Sequence, residues 1–450
     1  MSSRPARGVI LTLVAVGVLA LGLRLAAIFA LNAWEQPGFM EHDQLATNLV
    51  LGNGFAFRDW GSFGPSSVQS PTYPLLLTFL YRAFGIGTDT AFIAAMAINA
   101  VIGAAAAVMV YPMVRSAGGS AAVGLLAAAA TACWPTQIYA ATYVQAVAII
   151  IAGVVATTWF WNRAVATGGA WWWFAFSATG VFTALTEPVL LPVMFLTGIA
   201  VMLWRPLPMG VRVRNGFILL VTTAAVVGPW AWRNYEVHGG FVPVKSTFWV
   251  NIWKGNNPHA TGTDRVKYSE AERAAFATLD EAGRRHLDAR RQYDMLTDEQ
   301  IARLTNTTDA EREAAFGEWA KGWIGENPLE YAKLSVQRLV MSLWIEWNNP
   351  KGWDVRYLLP RTLLLVLSPV GLVLAVKRRW RLFFPLLAFS LSLLTVSLTI
   401  TAARFALPFE PYQFALCALV TVAVARRSGV LRQDDAEPSA PAPLSPQPQT

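Results

Sequence analysis

Apolar runs recur along the chain, and most are about 17 to 25 residues long, the length that carries a helix across a hydrocarbon core roughly 30 Å thick. They predict spans at 8–31, 91–114, 119–138, 141–162, 170–186, 188–204, 215–234, 358–376, 382–401 and 404–425. One further stretch, 71–86 (PTYPLLLTFLYRAFGI), is shorter, has two prolines in its first four residues and carries Arg82 within it, which predicts an amphipathic helix lying on the membrane surface. The pattern is that of an all-α polytopic membrane protein: about ten transmembrane helices with external juxtamembrane helices.

Two polar segments, 32–90 and 235–357, are too long to be turns and divide the chain. Residues 1–234 form an N-terminal transmembrane module with an acidic first external loop at 32–90. Residues 235–357 form an external loop and helical segment, 358–427 the C-terminal transmembrane helices, and 428–450 a tail. The second segment holds 15 of the 28 acidic residues, between Asp264 and Glu330, interleaved with Arg and Lys as on solvated helix faces. The tail from Gln433 is rich in Pro, Ser and Ala and is expected to be a disordered cytoplasmic end.

Composition agrees with the spans: 54% of residues are apolar and only 14% charged, against about a quarter charged in a soluble domain. In a soluble protein the net charge of +8 would suggest nucleic acid; here its placement reports orientation, and no nucleic-acid partner is expected. Cytoplasmic loops collect Lys and Arg. With ten spans, Arg4, Arg7, Arg115, Arg163, Arg205, Arg212, Arg214, the run KRRWR at 377–381, Arg426 and Arg427 all fall on one side. Counting 71–86 as a span would invert most of them. The expectation is a multi-pass protein of the plasma (inner) membrane with both termini cytoplasmic and no cleavable signal. Cys133 and Cys417 lie in apolar runs and indicate neither a disulfide framework nor a thiolate metal site.

Charge is scarce, so acids grouped at a membrane edge stand out: Glu41 and Asp43 follow the first span in EHDQLATNLVLGNGFAF. Four stretches together resemble the bacterial relatives of protein O-mannosyltransferases and lipid A aminoarabinose transferases, the family 39-like members of the GT-C class of membrane glycosyltransferases. HDQLATNLVLGNGFAF resembles the acidic first-loop helix and its Gly-x-Gly-aromatic turn, and QSPTYPLLLTFLYRAFG the proline-rich juxtamembrane helix. PWAWRNYEVHGGFVPVKSTFWVNIWKGNNPHATG resembles the end of the seventh span running into a Gly-Asn-Asn-Pro loop, and ARFALPFEPY the entry to the last span. In strict register the family's aspartate falls on Gly38, which leaves Glu41 or Asp43, after a small shift, to serve in its place.

The resemblance implies transfer of a sugar from a polyprenyl phosphate to a lipid, glycan or protein acceptor at the external face of the bilayer. Such chemistry asks for a carboxylate to take the acceptor's proton and for cations where charge grows on the departing phosphate. Glu41 and Asp43 are the candidates for the first task; two residues apart on a helix they diverge by about 200°, so one faces the site. Arg233, Arg404, Lys245 and Lys254 are the candidates for the donor phosphate, all expected externally, against the positive-inside trend. Interfacial snorkelling is the plainer account of each. Glu187, Tyr73, Asn256 and Asn257 are candidate substrate contacts. His42 and Asp43 are adjacent and no His-x-x-x-His pattern occurs, so no protein-bound metal is assigned, a divalent ion remaining an open alternative. A carrier of lipid-linked saccharide, and a non-catalytic relative that binds one, are the alternative functions.

Overall fold

The computed structural model describes residues 7–430 apart from 39, 60–61, 205–206, 264–273, 275–277 and 280–294. Arg4, Arg205, most of the charged stretch at 269–294 and the tail from Gln433 lie outside the described residues.

All ten predicted runs are helical. Helices α1 (Arg7–Ala30), α4 (Asp89–Ala117), α7 (Val147–Thr167), α10 (Met209–His238), α15 (Val355–Lys377) and α17 (Glu410–Arg427, with the turn Leu407–Phe409 before it) are the six long and apolar enough to cross a membrane. Helices α5 (Ala121–Cys133) and α6 (Pro135–Tyr139) form a seventh, broken by a 54° bend. Helices α8 (Ala170–Thr186), α9 (Leu191–Leu203) and α16 (Phe383–Leu398) are shorter. The bend follows from Pro135, which has no N–H to continue the ladder. The carbonyls thereby freed at Thr131 and Ala132 are taken by the buried Arg24 guanidinium of α1, at 3.2 Å each.

Helices α4 and α7 form the centre of the bundle, with 50% and 56% of their apolar windows buried, whereas α1 and α10, at 17% each, present Leu11, Val18, Phe217 and Leu220 outward. Outward leucine and phenylalanine along a span suit a hydrocarbon solvent.

Between the spans lie α2 (Met40–Val50), a hairpin of β1 (Ala56–Asp59) and β2 (Ser62–Pro65), and α3 (Thr72–Phe84). The hairpin is antiparallel, in register from Ala56 opposite Pro65 to Asp59 opposite Ser62. At 13 residues α3 is about 20 Å long, too short to span. It buries Tyr73, Leu77, Leu80 and Tyr81 and exposes Leu75, Phe79 and Phe84, the two faces of a surface helix.

After α10 come α11 (Phe248–Gly255), α12 (Asp298–Leu304), α13 (Asp309–Glu326) and α14 (Pro328–Leu343). This segment packs on the first loop. Ser246 donates its N–H to Ser67 O at 2.9 Å, Ser62 Oγ donates to Leu304 O at 3.1 Å, and Asp309 accepts from Ser66 Oγ at 2.8 Å and Ser67 N at 2.6 Å. A separate group of helix ends carries the basic clusters. There Arg381 donates to Ser116 O and Ala117 O, and Arg214 to Gly168 O.

Candidate functional site

The chain enters α2 through Pro37 and Gly38, which are pinned to the stretch before α7: Val144 N donates to Pro37 O at 3.1 Å and Gln145 Nε2 to Gly38 O at 2.8 Å. Gly38 has φ of +62°, and a Cβ there would come within 2.7 Å of the Tyr143 ring. Only glycine fits. The position where the motif register expects an aspartate therefore has no room for a side chain, and the nearest acids on this element are those of the first turn of α2.

Glu41 and Asp43 are both half-buried there. The Tyr81 hydroxyl of α3 donates to Asp43 Oδ1 at 2.5 Å. Burial raises the Asp43 carboxyl above the ordinary carboxylate range, and the Tyr81 hydrogen bond pulls part of the way back. Between the two acids, His42 is buried with its ring 5.2 Å from that of Tyr73. Tyr73 is itself buried, and its hydroxyl accepts from Asn99 Nδ2 at 2.9 Å; Asn99 also donates to Tyr143 O. One asparagine thus joins α3, α4 and the stretch before α7 beneath the acids.

Two cations from distant parts of the chain act on this point. Burial pushes the His42 imidazole down to about 3, and the positive charges of Lys245 and Arg404 add to the effect. Lys245 is half-buried in the stretch from α10 to α11. That stretch is held by Trp230 Nε1 donating to Val244 O at 2.9 Å and by the Ser246–Ser67 bond. Arg404 is exposed on the turn Ala403–Phe405, its guanidinium 5.2 Å from the Phe405 ring.

The other expected residues are distributed around this centre. Glu187 ends α8, half-buried, and its neighbour Thr186 is tied to the start of α3 by Ser70 Oγ at 2.9 Å and Thr72 Oγ1 at 3.1 Å. The Arg233 guanidinium donates to Ser66 O at 2.6 Å and Phe55 O at 3.0 Å and stacks on Phe55 and Trp230, so it braces the hairpin. Lys254 is half-buried on α11. Asn256 and Asn257 are buried just beyond it. Asn256 Oδ1 accepts from Arg338 at 3.0 Å, and Asn257 Oδ1 accepts from His259 N at 2.8 Å. A Cβ on Gly255 would lie 1.9 Å from Thr399 O, so this turn is pressed against the end of α16. Among the described residues no three His, Cys, Asp or Glu side chains gather as metal ligands.

Three features of this region escape a reading of the sequence. Tyr81 is one aromatic among many in an apolar helix, and nothing local marks it as the partner of Asp43. Arg338, fully buried, donates to Ser397 O, Gly255 O and Asn256 Oδ1. Glu410, also fully buried, accepts from Thr136 Oγ1 at 2.6 Å, Gln137 Nε2 at 2.8 Å and Arg361 at 3.2 Å, closing a buried ion pair behind the turn that carries Arg404. Arginines standing inside apolar stretches, as in SVQRLVM and LLPRTLLL, were the available signal.

No family model and no curated protein matches the sequence. Solved structures do. The archaeal oligosaccharyltransferase AglB from Archaeoglobus fulgidus, in complex with an inhibitory peptide and a dolichol-phosphate, superposes with a TM-score of 0.50 at 15% identity, over 94% of this chain and 51% of that one. The Archaeoglobus fulgidus oligosaccharyltransferase tethered to an acceptor peptide gives 0.52 at 12% identity, over 94% and 50%. ArnT from Cupriavidus metallidurans bound to undecaprenyl phosphate gives 0.41 at 15% identity, over 94% and 79%. The present chain spans about half the length of the oligosaccharyltransferases it matches. Its fold is a polytopic helical bundle like the one these oligosaccharyltransferases share with it.

Proposed function

We propose that this protein is an integral-membrane glycosyltransferase that moves a sugar from a polyprenyl-phosphate donor to a lipid, glycan or protein acceptor at the external face of the plasma membrane, both termini being cytoplasmic. Asp43, with Glu41 beside it, takes the proton from the acceptor hydroxyl or amine. The acceptor atom then bonds to the anomeric carbon, the bond from that carbon to the phosphate oxygen breaks, and the electron pair leaves on the phosphate. Lys245 and Arg404 bind that phosphate and offset its growing charge. Lys254 and Glu187 flank the sugar and acceptor. Tyr73, Arg233, Asn256 and Asn257 shape the walls through the hydrogen bonds they make.

The observation that carries this reading is that the acids of α2, with Asp43 bonded to Tyr81, and the stretch bearing Lys245, bonded to the first loop through Ser246 and Ser67, lie in one layer, where the charges of Lys245 and Arg404 act on His42 between the two acids. The likeness to an oligosaccharyltransferase held with dolichol-phosphate supports a lipid-phosphate donor. A site at the membrane edge leaves the prenyl chain in hydrocarbon and the sugar in water.

The test is transfer of labelled sugar from polyprenyl-phosphate-linked donors in vesicles containing the full chain. Replacing Asp43 and Glu41 together by Asn and Gln is expected to lower the rate by about 10²-fold or more, the usual contribution of a general base. An unchanged rate overturns the mechanism. Labelled donor crossing to the other leaflet without new glycosidic bonds would identify a carrier instead, and donor binding without turnover a binding relative.

A further inference from the structure

One buried polar atom that the proposed reaction leaves unused, and that lies between its two acids, is Nδ1 of His42. The ring is 9% exposed, and Nδ1 has no hydrogen-bond partner among the described residues. A buried imidazole nitrogen without a partner is costly, and in a native structure it asks for an explanation. The Tyr73 ring of α3 packs against it, Glu41 and Asp43 are its neighbours on α2, and the charges of Lys245 from the stretch before α11 and Arg404 from the turn before α17 act on it. Tyr73 is committed to Asn99, and the Asp43 carboxylate is met by Tyr81.

Resting on the reading above, we infer that His42 is the third member of the phosphate site: its Nδ1–H donates to an oxygen of the donor lipid's phosphate, beside Lys245 and Arg404, and lipid binding draws a proton onto the ring. Without the lipid, burial first and the charges of Lys245 and Arg404 second hold the imidazole neutral. A phosphate bound among the three cancels the field of Lys245 and Arg404 at the ring and supplies a negative partner, so the bound state holds a proton that the empty state does not. A group whose pKa rises on binding makes binding tighter as pH falls. His42 thereby acts as a positioning and charge-neutralising residue, separate from the base, and couples affinity for the leaving lipid phosphate to proton concentration.

The experiment uses the full chain in lipid nanodiscs and a polyprenyl phosphate as probe, with calorimetry at pH 6, 7 and 8 in buffers of different ionisation enthalpy. His42→Gln, which has no nitrogen at the place of Nδ1, is expected to bind about tenfold more weakly at pH 7, the loss of one hydrogen bond to a charged group. The deficit should widen at pH 6 and shrink at pH 8. His42→Asn keeps an uncharged donor near Nδ1 and is expected to recover most of the affinity at pH 8 while losing the extra proton uptake of the native protein. Native-like affinity in both variants, with native-like proton uptake, overturns the inference. If Lys245→Ala and Arg404→Ala lose affinity in that case, the glycosyltransferase reading stands without it; if the native chain itself fails to bind the lipid, both fall. Should His42→Gln not fold, the proton uptake of His42→Asn decides alone. Displacement of the lipid by equal concentrations of inorganic phosphate overturns the lipid assignment.

Discussion

At the scale of single residues, the acids of α2 show how little of a site is carried by residue type. Glu41 and Asp43 stood out in the sequence because charge is scarce near the first span. The hydrogen bond that distinguishes Asp43 comes from Tyr81, 38 positions away, through the packing of α2 on α3. Burial raises the Asp43 carboxyl, and the Tyr81 hydroxyl, bonding to the charged form, lowers it. Tyr81→Phe removes only the lowering influence. A base works deprotonated, so in the proposed reaction the acidic limb of the pH–rate profile should move to higher pH in Tyr81→Phe. The rate should fall severalfold on that limb, with the alkaline plateau nearly unchanged. A limb that stays in place would show that Asp43 is not the titrating base. Gly38 makes the complementary point. The sequence showed that an expected acid was missing; the positive φ and the Tyr143 ring give the steric reason, which no pattern in the chain discloses.

At the scale of elements, the helices were legible from the apolar periods, while their ends and breaks depended on partners distant in sequence. The run at 119–138 reads as one span, and Pro135 breaks it. Arg24 takes the freed carbonyls of α5, Arg361 takes Ser342 O and Trp344 O at the end of α14, and Arg338 takes Gly255 O and Ser397 O at the ends of α11 and α16. Each buried guanidinium thus caps the negative end of a helix whose last carbonyls lack intrahelical donors. The start of α11 is capped in the opposite sense: Glu313 of α13 accepts from Trp249 N at 2.9 Å and Val250 N at 3.4 Å, while Thr247 contributes no side-chain cap. Burial pushes the Glu313 carboxyl up to about 7, against the pull of those two N–H groups. A carboxyl raised on folding binds more protons in the native state, so the native protein loses stability as pH rises from the usual carboxylate range towards 7. Glu313→Gln keeps an acceptor oxygen and does not titrate. Its thermal midpoint relative to the native protein should therefore improve by a few degrees between pH 5 and pH 8. A difference independent of pH would place the native titration elsewhere.

At the scale of the whole molecule, the two long polar segments were visible in the sequence, but not that they pack into one layer. The joint is Asp309, 97% buried at the start of α13, whose Oδ2 accepts from Ser66 Oγ, Ser67 N and Ser246 Oγ while Oδ1 faces Arg312. A serine pair in a loop and an aspartate among the 15 acids between Asp264 and Glu330 carry no local sign of this pairing, because the bonds close over 242 and 243 residues. The consequence is mechanical. The hairpin after α2, the stretch bearing Lys245 and the start of α13 meet at this carboxylate, with the Ser246–Ser67 and Ser62–Leu304 bonds beside it, so the proposed acids and one proposed phosphate cation share a foundation. Asp309→Ala leaves three donors and the buried Arg312 charge without that partner, a loss of roughly 3–5 kcal/mol by analogy with broken buried ion pairs. It should act first on the hairpin and on α11 to α13, which pack in clusters of their own around Phe55 and Phe57 and around Trp253 and Phe316, apart from the core of α4 and α7. The expected outcome is protease cleavage in both 52–70 and 240–310 at rates raised together, with the apolar helices still resistant, and weaker polyprenyl-phosphate binding in the same preparation. Cleavage confined to one of the two segments would mean that the layer is not a single unit, and that the acids and Lys245 are positioned independently.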